Sequence, residues 1–238
     1  MTARAPQRCV HCLAPRATTQ DHGVPRSWYP DASVPNAPRI KAPSCFACNQ
    51  RLKKIEEEAL IPIALSLDDR DPRATGVPDR VRRSMDPLAA TDERDRRARH
   101  ALRERVRAMV FHPDSARGEF PGCGPVPGST GAALPGSFRT LEQFCEKLTR
   151  VVFFSEYGRY IELEYRVFTH VVQQNEAMGL VAETIRRGKR IEVPPGVLLA
   201  VRVAEDDPGA GLIVIDLWGK VRLFTSVLRR EAEPSFAT

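Results

Sequence analysis

Cys9-Val10-His11-Cys12, then Thr19-Gln20-Asp21-His22-Gly23-Val24-Pro25-Arg26-Ser27, then Pro43-Ser44-Cys45-Phe46-Ala47-Cys48-Asn49: this stretch decides the fold. Two Cys-x-x-Cys pairs stand 32 residues apart. Each two-residue gap lets a tight knuckle aim both sulfurs at one ion, and two such knuckles read as a tetrahedral Zn²⁺ site. Four thiolates, Cys9, Cys12, Cys45 and Cys48, satisfy zinc fully, so the ion is structural and its binding is coupled to local folding. Redox dithiols or free core cysteines are the alternative. Asp21 and His22 follow the first knuckle, and Asn49 follows the second directly. A carboxylate and an amide are hard oxygen ligands, suited to Mg²⁺ or Mn²⁺ rather than zinc. A neutral histidine beside them can act as a general base on water.

Cys-x-x-Cys, Asp-His-x-x-Pro-x-Ser and Pro-Ser-Cys-x-x-Cys-Asn together resemble an HNH endonuclease with the zinc-stabilised ββα-metal, treble-clef-like core. The resemblance rests on Cys9, Cys12, Asp21, His22, Pro25, Ser27, Pro43, Ser44, Cys45, Cys48 and Asn49, in about the first quarter of the chain. It implies that His22 deprotonates the attacking water and that Asp21 and Asn49 hold the catalytic metal. The family's middle asparagine, which orients the histidine, commonly lies about five residues before the third cysteine. That spacing falls on Ile40 here, and the role passes to Asn36, the only asparagine between the knuckles.

Composition bounds the rest. The 238-residue chain is 42% hydrophobic and 28% charged, as a globular protein of one or two domains would be. No apolar run reaches the roughly 20 residues of a membrane span. The start has no apolar signal core, so a cytoplasmic location is expected, and there Cys123 and Cys145 read as free thiols. Net charge is +6. Residues 1 to 54 hold nine Lys/Arg against Asp21 and Asp31, a net of +7, and the remainder nets −1. Positive charge confined to one module is the footprint of a phosphate-binding surface. DNA is the expected partner, with RNA less favoured, and Arg26, Arg51, Lys53 and Lys54 are the candidate contacts.

The spacing of residue types predicts an α+β chain in four parts: a nuclease-like module over 1–68, a charged helical connector over 69–117, a Gly/Pro-rich linker over 118–137, and an α+β domain with an antiparallel sheet over 138–238. Residues 1 to 8 read as a disordered lead-in, 9 to 22 as a knuckle and short hairpin, and 23 to 44, with five prolines, as an irregular loop. Trp28 and Tyr29 lie in that loop, either as a small core or as a wedge against nucleic acid. A helix is expected from Asn49 as its N-cap, with Leu52, Ile55, Ala59 and Leu60 on one face and a kink at Pro62. Glu56, Glu57 and Glu58 read as a solvated face. The segment from Thr91 to Arg107 carries seven Arg against four acids, either following a DNA backbone or pairing with itself. His100 and His112 have no motif around them. Phe138 to Phe153 reads as a helix, and Tyr160 to Val172 as strand or helix. Val197–Val203, Leu212–Trp218 and Val221–Leu228 read as strands. The role of this last part, homodimerisation among the possibilities, is open.

Two functions compete. A metal-dependent endonuclease needs Asp21, His22 and Asn49; a non-catalytic zinc module that grips nucleic acid needs only the cysteines and the charge. A structural zinc domain explains the cysteines but not the charge.

Overall fold

The computed structural model describes residues 7–33, 40–65, 67–68, 70–109, 138–171, 178–219 and 221–230. Asn36, the expected linker over 118–137, Cys123 and His112 lie outside the described residues. Among them, five α-helices and two antiparallel sheets make the α+β architecture expected from the sequence.

The first sheet is a ribbon of two short strands, β1 (Thr19–His22) and β2 (Lys41–Ser44), paired from Thr19↔Ser44 to His22↔Lys41. No local hairpin forms within 9–22, and the expected loop over 23–44 contains a strand. Pro43 hid it. In a two-stranded ribbon every strand is an edge, where a missing amide is tolerated, and the Pro43 carbonyl still accepts from Val10 N–H at 2.9 Å. The lead-in is also held at its end. Gln7 carbonyl accepts from Ala17 N–H at 2.8 Å, and Arg8 pairs with Glu162.

Helix α1 (Phe46–Leu65) begins before Asn49, which lies in its first turn rather than at its cap. The reason is the second knuckle. Cys45 precedes the helix, and its sulfur accepts from Cys48 N–H at 3.5 Å, as a capping side chain does. Asn49 N–H already makes a helical bond to the Cys45 carbonyl at 3.0 Å. Leu52, Ile55, Ala59, Leu60, Ile61 and Ala64 are buried. The helix continues through Pro62, whose cost of about 3 kcal/mol is offset by the packing of Ile61 and Ala64 beyond and beside it.

Helix α2 (Val77–Ser84) buries Val77 and Val81, and its Arg80 guanidinium donates to the Ser27 and Tyr29 carbonyls and pairs with Asp31. This clamps the loop after β1. Helix α3 (Glu93–Met109) pairs with itself, Arg96 with Glu93, Arg99 with Asp95 and Arg107 with Glu104, each at 2.9 Å. Arg99 holds the Asp95 carboxyl below its usual range. His100 is exposed on this helix.

Helix α4 (Phe138–Tyr157) joins the two ends of the chain. It packs on α1 and β2 on one side and on a five-stranded antiparallel sheet on the other. That sheet runs β3 (Tyr165–Val171), β7 (Val221–Arg229), β6 (Gly211–Leu217), β5 (Val197–Val203), β4 (Lys189–Val193). Its strands alternate. Leu199, Val201, Ile213, Ile215, Leu223 and Val227 enter the main core, while Ala200, Val214 and Phe224 meet Val181 of α5 (Met178–Arg187) on the other face. The main core is continuous from Cys9 to Val227. Within it the Thr149 and Thr225 hydroxyls bond each other at 2.9 Å.

Trp28 is core, not a wedge for nucleic acid. Fully buried, it stacks between Phe144 of α4 at 4.3 Å and Trp218 at 5.8 Å. The Trp218 indole N–H donates to the Trp28 carbonyl at 3.1 Å. Trp218 has φ of 55°, unusual for a bulky residue; its burial and this bond hold it in the turn between β6 and β7. Aromatic contacts of this kind contribute beyond the area they bury. We therefore expect Trp28→Ala to lower the unfolding free energy by about 3–5 kcal/mol, measured by urea denaturation, with a change near zero arguing against the stack.

Candidate metal centre and adjoining cleft

The first knuckle turns at Leu13, which has φ of 60° and donates to the Cys9 carbonyl at 2.9 Å. The second knuckle is the first turn of α1. The β1–β2 ribbon brings the two together, so the ligand atoms of Cys9, Cys12, Cys45 and Cys48 all lie within 4.8 Å of one another. Cys12 Sγ and Cys45 Sγ are 3.8 Å apart. Zn–S bonds of about 2.3 Å in a tetrahedron require sulfur–sulfur edges of about 3.8 Å, so this donor set fits a zinc ion in both chemistry and size. Burial pushes the Cys9 thiol up, but backbone N–H groups of Cys12, Cys45 and His11 outweigh it and bring it down to about 6. Burial and the neighbouring thiols push Cys48 well up. A cation among the sulfurs would favour thiolate at all four.

Beside the cluster, a cleft of about 490 Å³ opens between α1 and the β1 end. Asp21, His22 and Asn49 all line it, as do Arg26 and Lys53. Arg51 and Lys54 are exposed on α1 but do not line the cleft. Strand alternation separates the two neighbours on β1: His22 is exposed, and Asp21 is 3% exposed. Asn49 is half-buried in the first turn of α1.

The buried Asp21 carboxylate is held at both oxygens. His11 Nε2 lies 2.7 Å from Oδ2, with both side chains nearly inaccessible. Lys147 Nζ of α4 lies 3.0 Å from Oδ1. The same ammonium is 2.6 Å from Glu56 Oε1 and 2.8 Å from the Gly23 carbonyl, and it also donates to the His22 carbonyl. Burial pushes the Glu56 carboxyl above its usual range, against the pull of Lys147.

Three of these residues escape a reading of the sequence. His11 stands as a filler position inside a knuckle. Glu56 belongs to a run of three glutamates, of which Glu57 and Glu58 are exposed as expected while Glu56 turns inward. Lys147 sits on an amphipathic helix, 125 residues from His22, with no motif to mark it. The one available signal is that a lysine at position 147 falls among Phe144, Leu148 and Val151 on the apolar face, where an unpaired charge is too costly to stand.

The sulfur cluster makes a measurable expectation. The purified protein should carry one equivalent of zinc by elemental analysis, and Cys48→Ser should lose both the metal and the cooperative thermal transition of the N-terminal part; full stability without metal would contradict the assignment. Comparison with known protein families, with characterised proteins and with solved structures finds no match for the chain.

Proposed function

We propose that the chain is a metal-dependent endonuclease of the HNH type, cutting phosphodiester bonds in DNA. The observation that supports this most is the meeting of Asp21, His22 and Asn49 in one cleft next to a four-cysteine cluster. A protein that only grips nucleic acid has no need of an acid, an imidazole and an amide there. Arg26 and Lys53 on the cleft wall suit an anionic substrate.

His22 is the base. Exposed at the cleft, it takes a proton from a water molecule as the water oxygen bonds to phosphorus and the bond to the leaving oxygen breaks. A positioned base near neutral pH contributes about 10²- to 10⁴-fold. Asp21 and Asn49 would hold Mg²⁺ or Mn²⁺. A carboxylate and an amide are the oxygen donors such a cation takes; of the roughly four lone-pair positions of the carboxylate, the contacts to His11 and Lys147 engage one oxygen each. When bound, the cation stabilises negative charge on the phosphoryl and leaving oxygens. Arg26 and Lys53 attract the backbone, with Arg51 and Lys54 extending the positive surface along α1.

A second reading, a zinc module that binds nucleic acid without cutting, is favoured by one observation: both oxygens of Asp21 already have partners. Supercoiled plasmid separates the two. With Mg²⁺ or Mn²⁺ the protein should nick it, EDTA should stop the nicking, and His22→Ala should lower the rate by about 10²-fold or more with zinc content unchanged. Plasmid binding without nicking under any divalent ion would favour the binder. Binding itself should weaken steeply with added salt, through release of counterions from the phosphates; a flat profile would exclude backbone contact by the basic surface.

A further inference from the structure

We infer that Lys147 is a positioning residue of the cleft, so that helix α4 completes the site from the far end of the chain. This rests on the nuclease reading above. The side chain is 1% exposed, so it touches no substrate. What it touches is the floor of the cleft. Its ammonium meets four oxygens: the Asp21 and Glu56 carboxylates and the main-chain carbonyls of His22 and Gly23. Three N–H donors are thereby fully spent.

The two carbonyls belong to the two successive peptide groups that follow His22 at the end of β1. Fixing them fixes the direction in which His22 leaves the strand, at the point where the β1–β2 ribbon ends and Gly23 N–H makes its bond to the Ile40 carbonyl at 3.0 Å. The carboxylate contact sets the rotation of Asp21 from one side while His11 sets it from the other. Lys147 also lets buried Asp21 and half-buried Glu56, two acids on different elements, approach one ion instead of repelling each other. The lysines and arginine of β2 and α1, Lys41, Arg51, Lys53 and Lys54, are all exposed, and Lys53 lies 4.0 Å from Glu57.

A purely structural ion pair and a positioning residue make different forecasts. Removing the ammonium alone leaves two acids facing each other, which destabilises the fold under either account. Removing the ammonium and neutralising Glu56 together relieves that repulsion but does not restore the grip on Asp21 and on the His22 and Gly23 carbonyls. The test therefore compares wild type, Lys147→Met and the double variant Lys147→Met/Glu56→Gln as full chains loaded with zinc. Thermal melting, zinc content, plasmid affinity by gel shift and the nicking rate at saturating plasmid are all read. We expect the single variant to melt lower and the double variant to recover most of the loss. Both should bind plasmid within about twofold of wild type, while nicking in both falls by about 10²-fold, the scale of a displaced catalytic group. A double variant that is stable and nicks at the wild-type rate overturns the inference and leaves the nuclease reading intact. A wild type that binds plasmid and never nicks it overturns the nuclease reading, and the role of Lys147 falls with it.

Discussion

Four sulfurs drawn to within 4.8 Å of one another are the constraint on which the N-terminal half depends. They tie residues 9–12 to residues 45–48 across a segment rich in proline. Loop closure of that length is unfavourable for a short ribbon alone, since two strands of four residues bury little and are marginal by themselves. Once the knuckles meet, β1 and β2 are side by side, and α1 is launched from a cap made of the same cysteine that binds the cluster. Local order and any metal affinity of the cluster would thus be one quantity, as in small domains whose core is an ion.

The other end of the chain supplies what the module lacks. A ribbon and one helix cannot enclose Trp28, and the second wall is α4 with the sheet behind it. The same helix brings the lysine that faces Asp21 and Glu56. Burying the charges of Asp21 and Lys147 is costly, and geometry decides whether it is repaid. Here every donor of the ammonium has an acceptor, and the acid on β1 has partners on both sides. Such an arrangement tolerates little displacement.

Much of this was readable from residue order, and what was not has physical reasons. The knuckles declared themselves because ligand spacing is set by the ion, independent of the fold around it. The strands over 197–203 and 221–229 and the helix from Phe138 followed from their periodicity. Strand β2 did not, because one proline masks a strand that lies at an edge. The start of α1 differs for a related reason: Asn49 is a good cap by chemistry, but the capping side chain is Cys45, four residues earlier, and a thiol is not a residue type that marks a helix start. Helix α5 and strand β4 carried no signal strong enough to single out. Asp21, His22 and Asn49 were identified as a group, whereas His11, Glu56 and Lys147 were not. Their significance lies in pairings between distant positions, and a single sequence contains no record of pairings.

One consequence concerns light. The chain has two tryptophans, and they are each other's neighbours, one contributed by the first thirty residues and one by the last thirty. Both indoles are shielded from water, so their emission belongs to a dry, electronically coupled pair. Any event that parts the two ends of the polypeptide hydrates both chromophores at once and shifts that emission to the red. The union of the halves thereby carries its own optical label.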